Sequence, residues 1–345
     1  METMIKADEA RGSVSKLDGI THKLPSTDFF LNMFVAKDAT SSAQIEGTKA
    51  TMAEALGAKV GLEVDDSDAD DILYYIKAFK YGIDRLKNFP FSLRFIKELH
   101  KKLMTGARFT QYPNPGDFRV SQNWIGGTNP LNASFVPPPV IDMRRALGDF
   151  EEFLHNKKAT LPLIHIALMH AHFETIHPFL DGNGRTGRLL VTMMLINRGL
   201  LESPVLFLSS YFKKHQKIYY QKLNNYHEGE VEAWVNFFLD GIIEISNKSI
   251  NICKNITELY EEDMCKLRSL GKRESESGVK VLKKLYGQPI ISSKIIMEWT
   301  GYTRSGADRV IYRFIDLGIL QLLDENEIYD KSYSYKKYID LFLNN

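Results

Sequence analysis

Apolar residues recur at steps of three and four along most of this chain. Over 71–87, DILYYIKAFKYGIDRLK, the residues Ile72, Tyr75, Ile76, Phe79 and Ile83 fall on one stripe, which predicts an amphipathic helix with one buried face. The same period runs through 92–104, 140–156, 162–175, 186–198, 213–226 and 231–247. Strict apolar–polar alternation, the mark of half-buried strands, is sparse. The pattern predicts a mostly α-helical body.

Two stretches break the period. The first, 111–139, reads QYPNPGDFRVSQNWIGGTNPLNASFVPPP and is too rich in Pro, Gly and Asn to be one helix. Connections of that length are functional or disordered, and Tyr112, Phe118, Trp124 and Phe135 favour an ordered excursion. The second, GKRESESG at 271–278, has no apolar side chain and reads as a linker or hinge. After it, VKVLKKLYG reads as a helix. SSKIIMEWTGYTRSGADRVIYRFIDLGIL reads as helix, Gly-containing turn, helix, and QLLDENEIYD as two short apolar stretches around an acidic turn. That order predicts a winged-helix module.

Composition narrows the class. The 345 residues suggest two or three domains at ~100–200 residues each, and 44% hydrophobic with 25% charged residues is the make-up of a soluble globular protein. Lys and Arg (44) balance Asp and Glu (43), which argues against a nucleic-acid coat but leaves room for a local basic surface. Cys253 and Cys265 form no CxxC pair and read as free thiols in a reducing compartment. No apolar leader opens the sequence, and the most apolar run, 189–196, is far short of the ~20 residues that span a membrane. The expectation is a cytoplasmic protein with no membrane partner.

The chemistry concentrates in HPFLDGNGRTGR at 177–188. Gly182, Gly184 and Gly187 match G-x-G-x-x-G, but a dinucleotide turn needs a strand before it, and PLIHIALMHAHFETIH has helical periodicity. No Lys-Ser or Lys-Thr follows, so the stretch is not a Walker A loop. His165, His170, His172 and His177 crowd nearby, yet His170 and His172 are two apart and point to different helix faces. What fits is an anion cradle between two helices. Gly182 and Gly184 let backbone N–H groups converge on a phosphate, and the following helix turns its positive end to the same point. Arg185 and Arg188, three apart, put two guanidinium forks on one side of that helix and suit a polyphosphate. Asp181 would repel a bare phosphate there, but would hold a Mg²⁺ bridging phosphate oxygens. Pro178 ends the preceding helix, and Phe179 anchors the loop in the core. His177 stands at the rim, where a neutral imidazole could take a proton from an incoming hydroxyl.

The twelve residues resemble the complete H-x-F-x-[D/E]-G-N-G-R-x-x-R signature of the Fic family, over a similarity of roughly residues 30 to 245. The resemblance implies a Fic-type helical core with a small hairpin flap, and transfer of AMP from ATP to a Ser, Thr or Tyr hydroxyl of a target protein, possibly itself. By resemblance His177 is the general base and Asp181 coordinates Mg²⁺. Gly182, Asn183, Gly184 and Arg185 then cradle phosphates, with Thr186 and Gly187 inside the same nucleotide-binding run, and Arg188 holds the γ-phosphate. NASFVPPP resembles the flap, with Asn132, Ala133, Ser134, Phe135 and Val136 as its target-pairing tip. Tyr219, of the pair Tyr219-Tyr220, resembles a residue bordering the adenine. Related proteins carry Asn near the position of His227, which puts one nucleotide contact in doubt.

Upstream, Ser42-x-x-x-Glu46-Gly47 resembles the family's inhibitory motif. The spacing puts Ser42 and Glu46 on one helical face, and Glu46 could pair with Arg188 in the seat of the γ-phosphate. The plainer alternative is a helix end capped by Gly47. The implied division is 1–90 as an N-terminal helical region with the inhibitory motif, 91–247 as the Fic core, 248–277 as a helical linker and 278–345 as the winged helix. In the last, Arg304, Arg309, Arg313, Tyr302 and Tyr312 could face DNA or serve protein contact. Three further readings stay open: a DNA-binding regulator with a nucleotide-sensing core, a Fic enzyme that removes AMP or uses another nucleotide, and, from resemblance, a homodimer.

Overall fold

The computed structural model describes residues 1–22, 24, 27–58, 68–106, 114–156, 160–323 and 331–343. Among them the chain is almost entirely helical: α1 (Glu2–Thr21), α2 (Thr27–Ile45), α3 (Met52–Ala58), α4 (Asp68–Leu86), α5 (Leu93–Met104), α6 (Val140–His155), α7 (Pro162–Ile176), α8 (Asn183–Asn197), α9 (Ser209–Lys214), α10 (Gln216–His227) and α11 (Val231–Arg268). The C-terminal part adds α12 (Lys272–Gly287), β1 (Ile290–Ser292), α13 (Ser293–Thr300), α14 (Arg304–Asp316), β2 (Gln321–Leu322), β3 (Ser332–Ser334) and α15 (Lys336–Leu343).

The central pair is α7 and α8, both buried nearly all round, with α8 burying Asn183, Arg185, Thr186 and Arg188 alongside its apolar residues. Packed on them or on each other are α4, α5, α6, α10 and α11, while α2 lies across α4, α8 and α9 and α1 runs along α11. The stripe read in 71–87 is the packed face of α4: Ile72, Tyr75, Ile76 and Phe79 are buried and Ile83 packs against them. Local chemistry sets the ends. Ser92 caps α5 by accepting from the Phe95 N–H, and Pro162 opens the first turn of α7. No helix among the described residues is long and apolar enough to cross a membrane.

Two sequence expectations change in the C-terminal half. Nothing breaks at 247/248, because α11 continues to Arg268 as one helix. The expected linker at 271–278 is instead the first part of α12. Lys, Arg and Glu are good helix formers, and buried Gly278 lets α12 approach Leu267, which a Cβ there would meet at 2.7 Å. The turn is confined to residues 269–271. Beyond it, three short antiparallel strands lie in the order β1-β3-β2, with Ile291 and Leu322 both opposite Tyr333. Residues 324–330 of the expected acidic turn, and Tyr112 of the Pro-rich stretch, lie outside the described residues. The C-terminal part seats on α2: Phe30 meets the rings of Tyr286 (4.9 Å) and Tyr338 (6.3 Å), and Phe34 meets Phe342 (5.1 Å).

Candidate active site

The stretch 177–188 joins α7 to α8. The first helix stops because His177 adopts the left-handed conformation (φ 47°, ψ 60°) and Pro178 has no N–H to continue it. A non-glycine residue in that region is strained, and the surroundings fix it. Arg119 Nε donates to the His177 carbonyl (3.0 Å), the Arg119 N–H to the Pro178 carbonyl (2.8 Å), and Asn123 Nδ2 to the Phe179 carbonyl (2.9 Å). The Asn183 side chain closes the loop from the other end. Its Oδ1 accepts from the Phe179 N–H (2.9 Å) and its Nδ2 donates to the Phe179 carbonyl (2.8 Å). His100 lies flat on the Phe179 ring, centroids 3.6 Å apart. Its Nδ1 accepts from the Gly116 N–H, so its Nε2 carries the proton and donates to the Asp181 carbonyl at 2.9 Å.

Gly182 is left-handed (φ 73°), a conformation cheap only for glycine, and α8 begins after it. The N–H groups of Asn183, Gly184 and Arg185 therefore have no intrahelical acceptor and open toward a cleft of about 290 Å³. Lining it are Asp181, Gly182, Asn183, Gly184, Arg185 and Arg188, with His177, Glu174, Glu46, Tyr219, Tyr220 and His227 around them. Arg185 is braced 3.4 Å from Asp71 of α4, and its other nitrogen lies 3.9 Å from Asp181. Thr186 and Gly187 do not line the cleft: Thr186 Oγ1 donates back to the Gly182 carbonyl (2.8 Å). The Asp181 side chain is 38% exposed at the cleft edge. One half-open carboxylate beside unpaired amides suits Mg²⁺, which takes one or two carboxylates and completes its shell with phosphate and water. No cluster of three or more metal-ligating side chains occurs among the described residues.

Arg188 is almost fully buried, and α2 occupies it. Nε donates to Ser42 Oγ (2.8 Å), and Nη2 donates to the Ser42 carbonyl (3.0 Å) and to Glu46 Oε1 (2.6 Å). Burial alone would raise the Glu46 carboxyl, but Arg188, with Arg185 and His177, outweighs it and holds the group below its ordinary value. One turn before Ser42, buried Asp38 accepts from Tyr75 Oη (2.5 Å) and the Ser209 N–H (3.1 Å), tying α2 to α4 and α9. The helix end is held too, by Gln216 Nε2 donating to the Ile45 carbonyl at 2.9 Å. Gly47 (φ 95°) turns the chain away. The helix-end and Arg188-pairing readings are thus compatible.

His177 Nδ1 lies 3.3 Å from the Glu174 carbonyl. Only a protonated nitrogen can bond there, so Nε2 is left as a free base. Burial lowers the ring to about 4, so it is neutral at pH 7. Glu174 is buried beneath it, pushed up to about 7 by burial against the pull of Arg188.

The remaining expected residues divide. Tyr219 is 1% exposed with its hydroxyl 2.9 Å from His170 Nε2, whereas its neighbour Tyr220 is 39% exposed in the cleft wall. The flap forms one antiparallel bridge, Ile125 to Phe135. Its turn lies at 128–132, where Asn132 Oδ1 accepts from the Thr128 and Asn129 N–H groups (3.0 Å each). Ala133, Ser134, Phe135 and Val136 therefore belong to the returning leg rather than to the tip. Only Phe135 of the five reaches the cleft, stacked on His227 at 3.7 Å. His165 bonds the Phe153 carbonyl (2.8 Å). Reading the sequence missed Glu174, Asp38, Asp71, His100, Arg119 and Asn123. The i−3 spacing of Glu174 from His177 was the only available signal among them.

A helical core that presents a glycine-rich helix start, two arginines, a rim histidine and a single carboxylate to one cleft defines an anion-binding fold of the Fic kind. The Fic/DOC family matches residues 90–195, and its N-terminal family matches residues 4–84. Together they cover more than half of the chain, which belongs to the Fic/DOC family. Among relatives, Protein adenylyltransferase Fic of Aedes aegypti is 32% identical over 207 residues, 58% of this chain and 38% of that protein. Its namesake in Drosophila grimshawi is 27% identical over 247 residues, 69% and 47% of the two chains. The chain thus spans less than half the length of these relatives. A Fic family protein from Desulfovibrio desulfuricans G20 superposes over 95% of both chains with a TM-score of 0.57 and 17% identity. Fic-1 from C. elegans superposes over 73% of both, with a TM-score of 0.55 and 18% identity.

Proposed function

We propose that this chain is a protein adenylyltransferase that restrains itself through Glu46. The observation that carries the reading is the triple hold of α2 on Arg188, by Ser42 Oγ, the Ser42 carbonyl and Glu46 Oε1. That guanidinium lines a cleft built for a polyphosphate, and a carboxylate on it denies the terminal phosphate its fork. In the restrained state ATP binds without its α-phosphate aligned.

With Glu46 withdrawn, Arg188 takes the γ-phosphate, and the amides of residues 183–185 with Arg185 orient the rest of the chain of phosphates. Asp181 would hold Mg²⁺, which supplies charge neutralisation on the phosphates when bound. His177 Nε2 takes the proton of the target hydroxyl. The hydroxyl oxygen bonds to the α-phosphorus while the bond to pyrophosphate breaks. Catalysis is positioning plus charge stabilisation. The flap's returning leg offers backbone to an extended target segment, and Tyr220 and the Phe135–His227 stack bound the space for the base.

The C-terminal part has the element order of a winged-helix module and faces α2, the restraining helix. We read it as a protein-contact element rather than a DNA reader, because Arg313 of α14 is paired with Glu274 and Asp308 of the same helix accepts from Ser293 Oγ.

The test is Glu46→Gly with labelled ATP and Mg²⁺, in lysate and alone. Labelling of a protein, or of the chain itself, should rise over the parent and vanish when His177→Ala is added. Equal labelling by the double variant removes His177 as base. A side-by-side comparison of ATP, GTP, CTP and UTP fixes the nucleotide, and release of AMP from a labelled target would instead support the reverse reaction.

A further inference from the structure

We infer that Glu174 is a positioning residue for the proton transfer at His177, supplying the buried charge that lets the imidazole accept a proton. The inference rests on the reading of His177 as base and names a partner that the twelve-residue motif does not contain.

Glu174 sits on the last turn of α7, three residues before His177. Its Oε2 lies 4.0 Å from His177 Nδ1 and its Oε1 4.0 Å from His170 Nε2. The side chain is 8% exposed and lines the cleft, yet Oε1 has no hydrogen-bond partner. A buried carboxyl oxygen left unpaired opposes folding, so its presence calls for a use. Room is made for it: a Cβ on Gly187 would overlap Oε1. The glycine at that point of α8 therefore serves the carboxyl rather than the phosphate.

The groups facing Glu174 come from four elements. They are His170 and His177 from α7 and its end, Arg188 from α8, Glu46 from α2, and Tyr219 and Tyr220 from α10. Burial favours the acid, Arg188 the carboxylate and Glu46 the acid again, and the balance leaves the carboxyl near 7. His177 has the opposite problem. Burial resists its charging, and Glu46 is one of the groups that favours it. When Glu46 withdraws and ATP takes its aligned position, that support goes with it, and Glu174 is the carboxyl that remains beside the ring. During transfer the hydroxyl proton moves to Nε2, and Nδ1–H stays on the Glu174 carbonyl. The imidazolium and the Glu174 carboxylate then form a neutral buried pair. The proton passes to solvent once pyrophosphate has left.

The experiment compares pH–rate profiles of the full chain carrying Glu46→Gly, with and without Glu174→Gln. With Glu174 present, kcat should rise with pH as the carboxyl ionises, and because Glu46, which favours the acid, is gone, that rise should fall below the parent's value of about 7. With Gln that limb should vanish and the plateau should fall about 10- to 100-fold, at or below the cost of losing a general base, while KM for ATP changes little. Superimposable profiles, or a loss confined to KM, overturn the inference. A Glu46→Gly chain still labelling after His177→Ala overturns the base assignment and this inference with it. Should the Gln variant not fold, an NMR titration of the parent decides. A Glu174 carboxyl and a His177 ring that each also bend at the other's midpoint support the pair, and two curves with no mutual inflection overturn it.

Discussion

Arg188 and Glu46, 142 positions apart, meet at 2.6 Å over a glycine. A Cβ on Gly184 would overlap Glu46 Oε1 and crowd Arg188 Nη1. The glycine thus clears a space that a carboxylate uses in this state and that a phosphate can use when the carboxylate leaves. Asp38 and Ser42 of α2 and Glu46 just past its end follow one another at four-residue steps, and all three bear on the same buried cation. On the proposed reading, restraint would therefore belong to one face of the chain and not to a single side chain.

Ser42→Ala tests that statement. Arg188 Nε would lose its 2.8 Å acceptor in a fully buried position. A hydrogen bond to a charged group contributes about 1.5–3 kcal/mol, so the melting temperature should fall by several degrees. Labelling without any change at Glu46 should rise above the parent but stay below Glu46→Gly. A melt that drops with labelling unchanged would show that Ser42 only supports the fold.

Acid should unfold the protein early. His100, His177 and His227 are lowered to about 4 and His170 to about 3, each by burial first. The folded rings stay neutral where unfolded ones, near 6.5, already bind protons. Their contribution is complete above 6.5 and is lost as pH falls from there toward 4. Burial lowers His165 and His172 as well, and against these six rings run two carboxyls that burial raises, Glu174 between 4.5 and 7 and Asp38 above its ordinary value. The melting temperature should decline steadily as pH falls from 6.5 to 4. A melting temperature that holds constant to pH 5 would contradict the buried-neutral assignment.

Asn183→Ala separates loop shape from phosphate contact. The Phe179 carbonyl keeps Asn123, but the Phe179 N–H loses the Asn183 Oδ1 acceptor. An unmet buried donor costs about 1–3 kcal/mol. Asn183→Asp retains that acceptor, so it should melt closer to the parent. Both should weaken ATP binding, Ala by loosening the loop and Asp by repelling phosphate. If Asp melts as low as Ala, the side chain is not a loop clamp.

What the sequence made legible was local and what it hid was phase and burial. Pro178 and the glycines announce a bent loop before a helix. Ser42 and Glu46 announce a shared face, because a four-residue step is nearly one turn. Adjacent helical residues differ by about 100°, so YY at 219–220 gives a pair without saying which ring is core, and the inward ring is Tyr219. The same limit hid Glu174, since the run HFETIH does not say which way its acid faces. The charged 271–278 stretch looked like solvent-exposed linker, yet Lys and Glu also favour helices, and a single buried glycine was enough to seat α12. Flap register failed for a similar reason. Asn132 resembles a target-pairing position, but its short amide is spent closing the turn on Thr128 and Asn129.

The two ends of α2 face different partners, and this gives the last prediction. Near its start, Phe30 packs edge-on to Tyr286 and Tyr338, and Phe34 to Phe342, all three partners from the C-terminal part. Tyr335 there donates to Asp263 of α11 and shares a bond with Tyr286 at 3.1 Å, so this aromatic patch is anchored to the long helix. Glu46 follows directly on the other end of α2, at Ile45. A helix is stiff over so few turns, and a tilt at Phe30 would move the 2.6 Å contact at Arg188. Phe30→Ala removes a fully buried ring, at a cost of about 3–5 kcal/mol, and should both lower the melting temperature and raise labelling toward that of Glu46→Gly. Phe30→Leu, which refills most of the volume, should recover both together. Recovery of stability without recovery of restraint would show that the aromatic patch holds the fold but does not hold Glu46 in place.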